Sequence, residues 1–374
     1  MSAKTQRATR TILVMAGGTG GHVFPALAVA DYLREKGWNV IWLGTKNGME
    51  AKLVPQKGYE MAWLKFSGVR GNGIVRWLLL PTQLLVAFAQ SAAVIFKNRP
   101  DVVLGMGGYT AFPGGMMAAL LAKPLVIHEQ NSIAGMTNRV LACVADKVMV
   151  AFPGAFSGKK DKPLLCSKPE TIWCGNPVRR EIAEVAEPAQ RYRGRTGSLR
   201  LLVVGGSLGA SALNEMVPKA LALMPEESRP SVVHQAGAKH LETLQENYAA
   251  AGVQAELKSF IDDMAEQYAW CDLVICRSGA LTISELAAAG VPGILVPYPH
   301  AVDDHQTQNA KFLSENGAAA LVSQKELSPE ALKKILTELT REKLQQMAIA
   351  ARKLSKPDAT REVADICMEL ANAA

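Results

Sequence analysis

Two glycine-rich turns constrain the fold of this chain more than any other feature. The first turn, residues 17–22, follows an apolar run that ends at Met15, and the second, residues 205–210, follows one that ends at Val204. Each turn leads into a helix-like stretch, so that backbone N–H groups and the positive end of a helix point to one spot, which suits a phosphate group. Two such turns about 190 residues apart predict two nucleotide-binding-like domains that face a common cleft.

Strand-length apolar runs alternate with helix-like stretches, which predicts α/β domains with parallel sheets covered on both faces. The predicted strands are residues 11–15, 40–43, 102–104, 125–128 and 147–150, followed by 201–204, 232–235, 256–260, 273–276, 293–296 and 318–321. From residue 329 onward the chain is predicted to be helical, and a polar break predicts a linker near 176–198. A length of 374 residues is sufficient for two domains, and we assign residues 1–180 to the first and 181–356 to the second.

The two halves of the chain differ in charge. Residues 1–180 contain 22 Lys and Arg against 9 Asp and Glu, a net charge of +13, whereas residues 181–374 contain 19 against 25, a net charge of −6. The positive charge of the first half indicates that it binds near an anionic surface or acts on an anionic substrate. Nucleic acid is disfavoured as a partner, because the sequence has neither a basic helix nor a ladder of basic and aromatic residues.

Residues 77–96 form an uncharged segment of 20 residues, which is long enough to span a membrane. Pro81 is expected at a helix start, and four polar residues interrupt the run. Three interpretations therefore remain: a membrane-spanning helix, a packed helix of an α/β domain, or a helix whose first turns lie on a membrane. Apolar residues between 74 and 80, beside Arg70 and Arg76, favour the membrane-surface interpretation.

The six cysteines have no spacing typical of a metal or redox motif. They are expected to be reduced and mostly buried, as in a cytosolic protein. The first ten residues are polar and basic and lead directly into a predicted strand, so no secretion signal is expected.

His22 lies inside the first turn, at the predicted N-terminus of a helix. The positive helix end disfavours a protonated imidazole, and a neutral imidazole is what a general base requires. The alternative is that His22 only forms local hydrogen bonds. A nicotinamide cofactor is disfavoured, because the third glycine position of the dinucleotide fingerprint falls on Val23 and no acidic residue follows the next strand.

Three further segments could bind phosphate or sugar. The turn at 105–109 also follows a predicted strand, and two phosphate-binding turns in one half suggest a ligand with a diphosphate. Residues 277–285 predict either a capping box, from the spacing of Thr282 and Glu285, or a phosphate and ribose site in which Glu285 accepts two hydroxyl hydrogen bonds. The His, Asp and Gln residues of 297–309 fit a metal cluster, a solvated loop or hydrogen-bonding groups for a sugar. The sequence contains no Asp-x-Asp pair, which disfavours a metal-held diphosphate.

Six motifs together resemble the MurG family, the peripheral membrane N-acetylglucosaminyltransferases of peptidoglycan synthesis. They are GGTGGHVFPALAVA from residue 17, GMGGY from 105, HEQN from 128, GNPVR from 175, GGSLGA from 205 and RSGALTISELAAAGVP from 277. The resemblance covers nearly the whole chain and implies a GT-B fold, two Rossmann-like doubly wound parallel-sheet domains with an interdomain cleft. The final helix, assigned to residues 357–374, is expected to cross back to the first domain.

The resemblance implies the transfer of N-acetylglucosamine from UDP-GlcNAc to lipid I, undecaprenyl-pyrophosphoryl-MurNAc-pentapeptide. The muramoyl 4-hydroxyl attacks, the anomeric centre inverts, and lipid II and UDP are the products. His22 is the expected base, and neither a cofactor nor a metal ion is expected. Two alternatives are a GT-B glycosyltransferase with another lipid or small-molecule acceptor, and a non-catalytic membrane-bound scaffold of the same fold.

The family pattern places the donor mainly in the second domain, with Ser207 at the diphosphate, Ile261 at the uracil and Glu285 at the ribose. Gln306, expected at the GlcNAc hydroxyls, is assigned by counting back from Asn309, because family members vary just before it. The expected donor-binding residues are Thr19, Gly20, Gly21, Asn131, Arg179, Ser207, Ile261, Ala280, Leu281, Thr282, Ile283, Ser284, Glu285 and Gln306. The expected acceptor-binding residues are Gly18, Gly107, Gly108, Tyr109 and Glu129.

The resemblance also implies a peripheral enzyme at the cytoplasmic face of the bacterial inner membrane, in contact with anionic lipids. UDP-GlcNAc and lipid I are the expected substrates, and proteins of cell-wall synthesis and cell division are the expected protein partners. The two glycine turns are therefore expected to differ in role. The second turn binds the donor diphosphate, and the first carries the base on the acceptor side.

Overall fold

The computed structural model describes residues 9–66, 79–158, 161–163, 166–167, 169–206 and 209–373. The chain folds into two compact units, Met1–Arg179 with Asp358–Ala374, and Arg180–Pro357. Each unit contains one parallel β-sheet. Helices join most successive strands in both units, which is the arrangement that strand–helix alternation predicts.

The sheet of the first unit has seven strands in the order β3-β2-β1-β4-β5-β6-β7. They are β1 (Thr11–Met15), β2 (Asn39–Thr45), β3 (Glu60–Leu64), β4 (Val102–Gly105), β5 (Leu125–Glu129), β6 (Lys147–Val150) and β7 (Thr171–Trp173). The helices are Gly20–Glu35, Glu50–Gln56, Leu80–Asn98, Ala111–Leu120, Met136–Leu141 and Ala359–Ala373. Successive residues of β1 enter two different cores, one with Ile12 and Val14 and the other with Leu13 and Met15, because side chains alternate between the faces of a strand.

The last helix, Ala359–Ala373, belongs to the first unit although residues 180–357 separate it from the rest in sequence. Val363 and Cys367 are fully buried in the same core as Ile12. The helix packs against Gly20–Glu35, the helix that begins in the first glycine turn. Burial of apolar side chains is what holds it there, at about 25 cal/mol per Å² of apolar surface.

The sheet of the second unit has six strands in the order β10-β9-β8-β11-β12-β13. They are β8 (Arg200–Val204), β9 (Ser231–Gln235), β10 (Glu256–Lys258), β11 (Leu273–Cys276), β12 (Gly293–Leu295) and β13 (Ala319–Leu321). The helices are Arg180–Ala183, Pro188–Tyr192, Ser211–Ala222, Leu241–Ala251, Met264–Trp270, Ala280–Ala289, His305–Ser314, Pro329–Glu338 and Arg341–Lys353, with short 3₁₀ turns at Glu226–Ser228 and Val302–Asp304. All eleven predicted strands are present, with bounds that differ by up to two residues, and the sequence did not predict β3 and β7.

The predicted linker near 176–198 is wrong for most of its length. Two short helices, Arg180–Ala183 and Pro188–Tyr192, occupy this segment and belong to the second unit. The ring of Tyr192 is buried in the core of that unit. Arg195 donates hydrogen bonds to two backbone carbonyls at the end of a neighbouring helix. Its guanidinium, which suggested a solvent-exposed linker, therefore satisfies backbone acceptors of the second unit.

The helix Leu80–Asn98 has a buried stripe and an exposed apolar stripe. The buried stripe consists of residues four positions apart, Ala87, Ser91 and Ile95. The exposed stripe includes Leu85 and Phe96, whose side chains are 68% and 65% exposed. By length and composition the helix could cross a membrane, and 17% of its apolar window is buried. Residues 67–78, which include most of the predicted membrane-surface segment, lie outside the described residues.

The expectation that all six cysteines are reduced is wrong for one pair. Cys143 and Cys166 form a disulfide, with their Cα atoms 5.5 Å apart. Folding brings the end of one helical segment next to a loop 23 residues later, a proximity that the spacing does not reveal. The other four cysteines are buried thiols, as expected: Cys174, Cys271, Cys276 and Cys367.

Candidate active site

The first glycine turn joins β1 to the helix Gly20–Glu35. Gly18 has a φ angle of +90°, a left-handed conformation that favours glycine. Beneath the turn lies Glu50, whose side chain is fully buried. It accepts hydrogen bonds from the N–H of Gly18 at 2.9 Å, and from the N–H and hydroxyl of Thr45 at 3.1 and 2.9 Å. One N–H group of the turn is therefore committed inside the protein, and sequence analysis had not singled out Glu50.

The turn at residues 105–109 packs directly against the first turn. Gly107 and Gly108 have φ angles of +87° and +80°, and neither position has room for a side chain. A Cβ atom on Gly108 would overlap the carbonyl oxygen of Gly17, and one on Gly107 would lie 2.8 Å from Nδ1 of His22. Both glycines therefore allow close packing around His22, and their role in acceptor binding stays a prediction.

His22 is anchored by a residue that is distant in sequence. Its Nδ1 atom lies 2.9 Å from Oε1 of Gln130, 108 residues away. Gln130 follows β5 and is 1% exposed, whereas His22 is partly exposed. The side chain of His22 is thus not limited to local hydrogen bonds. Gln130 belongs to the HEQN motif but was not predicted as a site residue, because its contact depends on the tertiary fold.

Tyr109 contacts residues of the first turn and of the network around Glu50. Its hydroxyl lies 2.9 Å from Oγ1 of Thr45. The Thr45 hydroxyl already donates its single hydrogen to Glu50, so Tyr109 is the donor in this pair. The ring of Tyr109 also faces Gly18, where an added Cβ atom would lie 3.6 Å from it. The structure gives Tyr109 a supporting role under the first turn, and acceptor binding by Tyr109 stays a prediction.

Glu129 is the last residue of β5 and is 2% exposed. Its carboxylate accepts hydrogen bonds from several donors of the loop that follows: the N–H of Asn131 at 2.9 Å, the N–H of Gly135 at 3.0 Å and the side-chain amide of Asn138 at 2.9 Å. A carboxylate that is engaged in this way fixes the loop that presents Asn131. Donor binding by Asn131 and acceptor binding by Glu129 stay predictions.

The other predicted donor contacts of the first unit lie around one helix end. Thr19 is the N-cap of the helix Gly20–Glu35, which begins with Gly20 and Gly21. The first turn of this helix has no acidic residue and no side-chain cap, so the helix itself does not neutralise its positive end. The guanidinium of Arg179 lies 5.9 Å from the ring centroid of Phe24, a cation–π distance that brings Arg179 to the same helix end.

The second glycine turn joins β8 to the helix Ser211–Ala222. Ser207, the predicted diphosphate contact, and Leu208 lie outside the described residues. Gly209 has a φ angle of +77°, and a Cβ atom there would overlap the carbonyl oxygen of Ala236. The helix has no acidic residue in its first turn and no side-chain cap. The positive end of this helix is therefore not neutralised by the helix itself, as a phosphate site requires.

The helix Ala280–Ala289, which contains the predicted residues Ala280, Leu281, Thr282, Ile283, Ser284 and Glu285, follows β11. The capping-box interpretation is wrong, because Gly279 is the N-cap and the helix has no side-chain cap. Glu285 is 6% exposed and accepts a hydrogen bond from the Tyr268 hydroxyl at 3.1 Å. Burial, together with the nearby Glu285, raises the pKa of Tyr268 well above its ordinary value, so the hydroxyl remains a donor.

Ile261 lies in a loop of the second unit, and Gln306 lies near the start of one of its helices. The side chain of Ile261 is 6% exposed, whereas that of the preceding Phe260 is 56% exposed. Gln306 lies in the first turn of the helix His305–Ser314, and its side-chain oxygen accepts a hydrogen bond from the N–H of Tyr298 at 2.9 Å. Gln306 thereby ties the start of this helix to the preceding loop. Its contact with GlcNAc, like the uracil contact of Ile261, stays a prediction.

The loop before Gln306 has an unusual backbone. Asp303 and Asp304 have φ angles of +51° and +56°, which are uncommon for residues with a side chain. The carboxylate of Asp304 accepts a hydrogen bond from the Thr307 hydroxyl at 2.6 Å. Within the described part of the chain, no group of three or more His, Cys, Asp or Glu side chains is arranged to hold a metal ion. The carboxylate of Asp304 is thus used in a local hydrogen bond next to Gln306.

Comparison with known proteins identifies the family. Residues 12–150 match the N-terminal domain of glycosyltransferase family 28, and residues 200–363 match its C-terminal domain. A Thiobacillus denitrificans protein named UDP-N-acetylglucosamine–N-acetylmuramyl-(pentapeptide) pyrophosphoryl-undecaprenol N-acetylglucosamine transferase is 61% identical over 97% of this chain and 99% of its own length.

Solved structures agree with this result. The crystal structure of Acinetobacter baumannii MurG is similar to this chain with a TM-score of 0.82 and 41% identity, over 96% of this chain and 99% of that one. The glycosyltransferase of kitacinnamycin has a TM-score of 0.69 and 17% identity, over 97% of this chain and 100% of that one, which shows a common fold alone. The chain therefore belongs to glycosyltransferase family 28 and, within it, to the MurG family.

Proposed function

We propose that this chain transfers N-acetylglucosamine from UDP-GlcNAc to the muramoyl 4-hydroxyl of lipid I, and that lipid II and UDP are released for peptidoglycan synthesis. The names of relatives at 60–61% identity support the substrates. The observation that carries the mechanism is the position of His22, which a hydrogen bond to Gln130 holds beside a helix N-terminus. An anchored and partly exposed imidazole is suited to act as the base.

The proposed reaction is a single displacement with inversion. A bond forms between the muramoyl O4 and the anomeric carbon of GlcNAc, while the bond from that carbon to the UDP oxygen breaks. The electron pair leaves with UDP, and His22 takes the hydroxyl proton. The helix N-termini at Ser211 and Ala280 in the second unit stabilise the charge that develops on UDP, and one oxyanion-type donor is worth about 3 kcal/mol of barrier.

Recognition of the donor nucleoside is proposed to depend on Glu285. A carboxylate can accept hydrogen bonds from both hydroxyls of a ribose. The Tyr268 hydroxyl, which is buried and stays protonated, holds this carboxylate from inside the unit. An acidic side chain in a fixed orientation distinguishes a ribose from a sugar without adjacent hydroxyls.

We further propose that the first unit binds the cytoplasmic face of the inner membrane. The apolar stripe with Leu85 and Phe96 supports this proposal, as does Leu120, which is 72% exposed at the end of a helix that packs against Leu80–Asn98. The net charge of +13 over residues 1–180 favours anionic lipids. Proteins of cell-wall synthesis and cell division are the proposed neighbours at this surface, and growth and division of the cell are the processes served.

The transfer is tested with the purified chain, UDP-GlcNAc and a lipid I analogue, with lipid II detected by mass spectrometry and UDP by a coupled assay. We expect equal amounts of the two products. His22→Ala should lower kcat by about 10²–10⁴-fold, the usual contribution of a general base. Glu35→Ala, an exposed change at the other end of the same helix, is the control. Transfer to other acceptors but not to the lipid I analogue would contradict the proposed function.

Membrane binding is tested by sedimentation with vesicles of anionic or zwitterionic lipid. Leu85→Glu should lower binding to anionic vesicles several-fold, because it places a charge in the exposed apolar stripe. Leu223→Glu is a matched control, because Leu223 is a 43% exposed leucine of the second unit. Equal loss of binding in both variants, or equal binding of the wild type to both lipids, would refute this part of the proposal.

A further inference from the structure

A continuous chain of hydrogen bonds in the first unit ends at His22. Nε2 of His128 lies 2.8 Å from the carbonyl oxygen of Gly175. Nδ1 of His128 lies 3.1 Å from Nε2 of Gln130. Oε1 of Gln130 lies 2.9 Å from Nδ1 of His22. His128 and Gln130 are 0% and 1% exposed, so bulk water does not compete for these hydrogen bonds.

Two backbone carbonyls determine which atom donates in each hydrogen bond of this series, because a carbonyl oxygen can only accept. The carbonyl of Gly175 requires that Nε2 of His128 carries a hydrogen. The carbonyl of His128 lies 3.2 Å from Nε2 of Gln130, which requires that this atom is the amide nitrogen. The orientation of the Gln130 amide is therefore determined by the backbone, independently of either imidazole.

The charge state of His128 agrees with this direction. Burial lowers the pKa of His128 to about 4, so the ring is neutral near neutral pH. A neutral ring with its hydrogen on Nε2 has a lone pair on Nδ1. That lone pair accepts the second amide hydrogen of Gln130, so both hydrogens of the amide are used.

The amide oxygen of Gln130 therefore faces His22. Because this oxygen can only accept, Nδ1 of His22 is the donor, and the lone pair of the neutral ring lies on Nε2. We propose that Gln130, oriented by the backbone carbonyl of His128 and supported by its ring, is a positioning residue that sets His22 in the Nδ1–H tautomer and makes Nε2 the atom that receives the acceptor proton. This inference deepens the proposed function and rests on the role of His22 as its base.

The opposite tautomer would be inactive in this role. With a hydrogen on Nε2, this nitrogen of His22 could donate a hydrogen bond but could not remove a proton. A wrong tautomer at a catalytic histidine costs up to about 10⁴-fold in kcat. Gly107 contributes to the arrangement, because a Cβ atom there would lie 3.2 Å from Oε1 of Gln130 and would crowd the bond that sets the tautomer.

Three substitutions separate positioning from simple packing. Gln130→Leu keeps similar volume but removes the acceptor, and kcat is expected to fall about 100-fold, a typical base contribution, with both KM values nearly unchanged. Gln130→Glu keeps an accepting oxygen for His22 but loses both hydrogens that the amide donates to His128, so only part of that loss should be recovered. His128→Leu leaves the backbone carbonyl of residue 128 to hold the amide, so its loss should be smaller than that of Gln130→Leu. Thermal unfolding verifies that each variant is folded.

The tautomer itself is read from ¹H–¹⁵N correlation spectra of the histidine rings in the full-length chain, with His22 assigned by its loss in His22→Gln. We expect a hydrogen on Nδ1 of His22 in the wild type, and a shift toward Nε2–H in Gln130→Leu. A wild-type His22 with its hydrogen on Nε2, or a Gln130→Leu variant with wild-type kcat, would overturn the inference. A wild type with the Nδ1–H tautomer but without transfer would instead overturn the proposed function alone.

Discussion

Gly107→Ala tests how closely the turn at residues 105–109 must approach His22 in the first glycine turn. A Cβ atom at this position would lie 2.8 Å from Nδ1 and 2.9 Å from Cε1 of His22, and 3.2 Å from Oε1 of Gln130. Comfortable van der Waals contact begins at 3.4 Å, so the imidazole must retreat by about 0.6 Å. This displacement of the imidazole would strain the 2.9 Å hydrogen bond between Nδ1 of His22 and Oε1 of Gln130.

Two costs follow from this geometry. The φ angle of +87° at Gly107 costs an alanine about 1–2 kcal/mol of stability, because its Cβ atom crowds the backbone. Displacement of the base costs activity, because a shift of about 1 Å in a catalytic group can lower the rate about 100-fold. A shift of about half that size should lower kcat by about 10–100-fold, with little change in KM for UDP-GlcNAc.

Gly37→Ala is the matched control, because Gly37 has a φ angle of +82° and nothing within 4 Å of an added Cβ atom. Urea unfolding should give both variants a similar loss of stability, whereas steady-state transfer to a lipid I analogue should show a lower kcat for Gly107→Ala alone. Unchanged kcat in Gly107→Ala, or the same loss of kcat in both, would refute the argument. A higher acceptor KM at constant kcat would make Gly107 an acceptor contact instead.

Three further predictions follow from buried polar groups. Tyr268→Phe removes a hydrogen bond to Glu285 and should raise KM for UDP-GlcNAc about tenfold, equivalent to about 1.4 kcal/mol; an unchanged KM in steady-state assays would argue against the ribose role. Burial lowers the pKa of His234 from 6.5 to about 3, so the unfolded chain binds a proton that the folded chain does not, and stability falls as the pH falls below 6.5. Urea unfolding should show about 2 kcal/mol less stability at pH 5 than at pH 7 from this residue, a difference that His234→Gln should remove. Glu50→Ala leaves the N–H groups of Gly18 and Thr45 without their acceptor and should cost about 3 kcal/mol, and a wild-type urea midpoint would contradict this.

The central strands of both sheets were predictable because they are buried on both faces and are continuous apolar runs. β3 and β7, the two edges of the first sheet, were not predicted, although β10 and β13, the edges of the second sheet, were. Edge strands keep one side near solvent, and Trp63 and Trp173 are 37% and 40% exposed. Their sequences therefore mix polar and apolar residues over only a few positions, which local patterns do not separate from loops.

The candidate site was predictable where a motif is local and hidden where it depends on the fold. The glycine turns and His22 follow strands directly, so their position at the strand ends could be inferred from order alone. Gln130 reaches His22 across 108 residues, and Tyr268 reaches Glu285 across 17. Such pairs arise from the order of strands in the sheet and from helix packing, and neither is written in the spacing of one sequence.

The side chain of Glu50 also makes the two glycine turns different from each other. Both units present a glycine turn before a helix N-terminus, a local arrangement that favours phosphate groups in general. In the first unit Glu50 already accepts a hydrogen bond from the N–H of Gly18, so this N–H is not available to another acceptor. In the second unit the first turn of Ser211–Ala222 has no acidic residue. One buried side chain thus occupies a backbone donor of the first turn, so similar glycine patterns in a sequence do not imply equal hydrogen-bonding capacity.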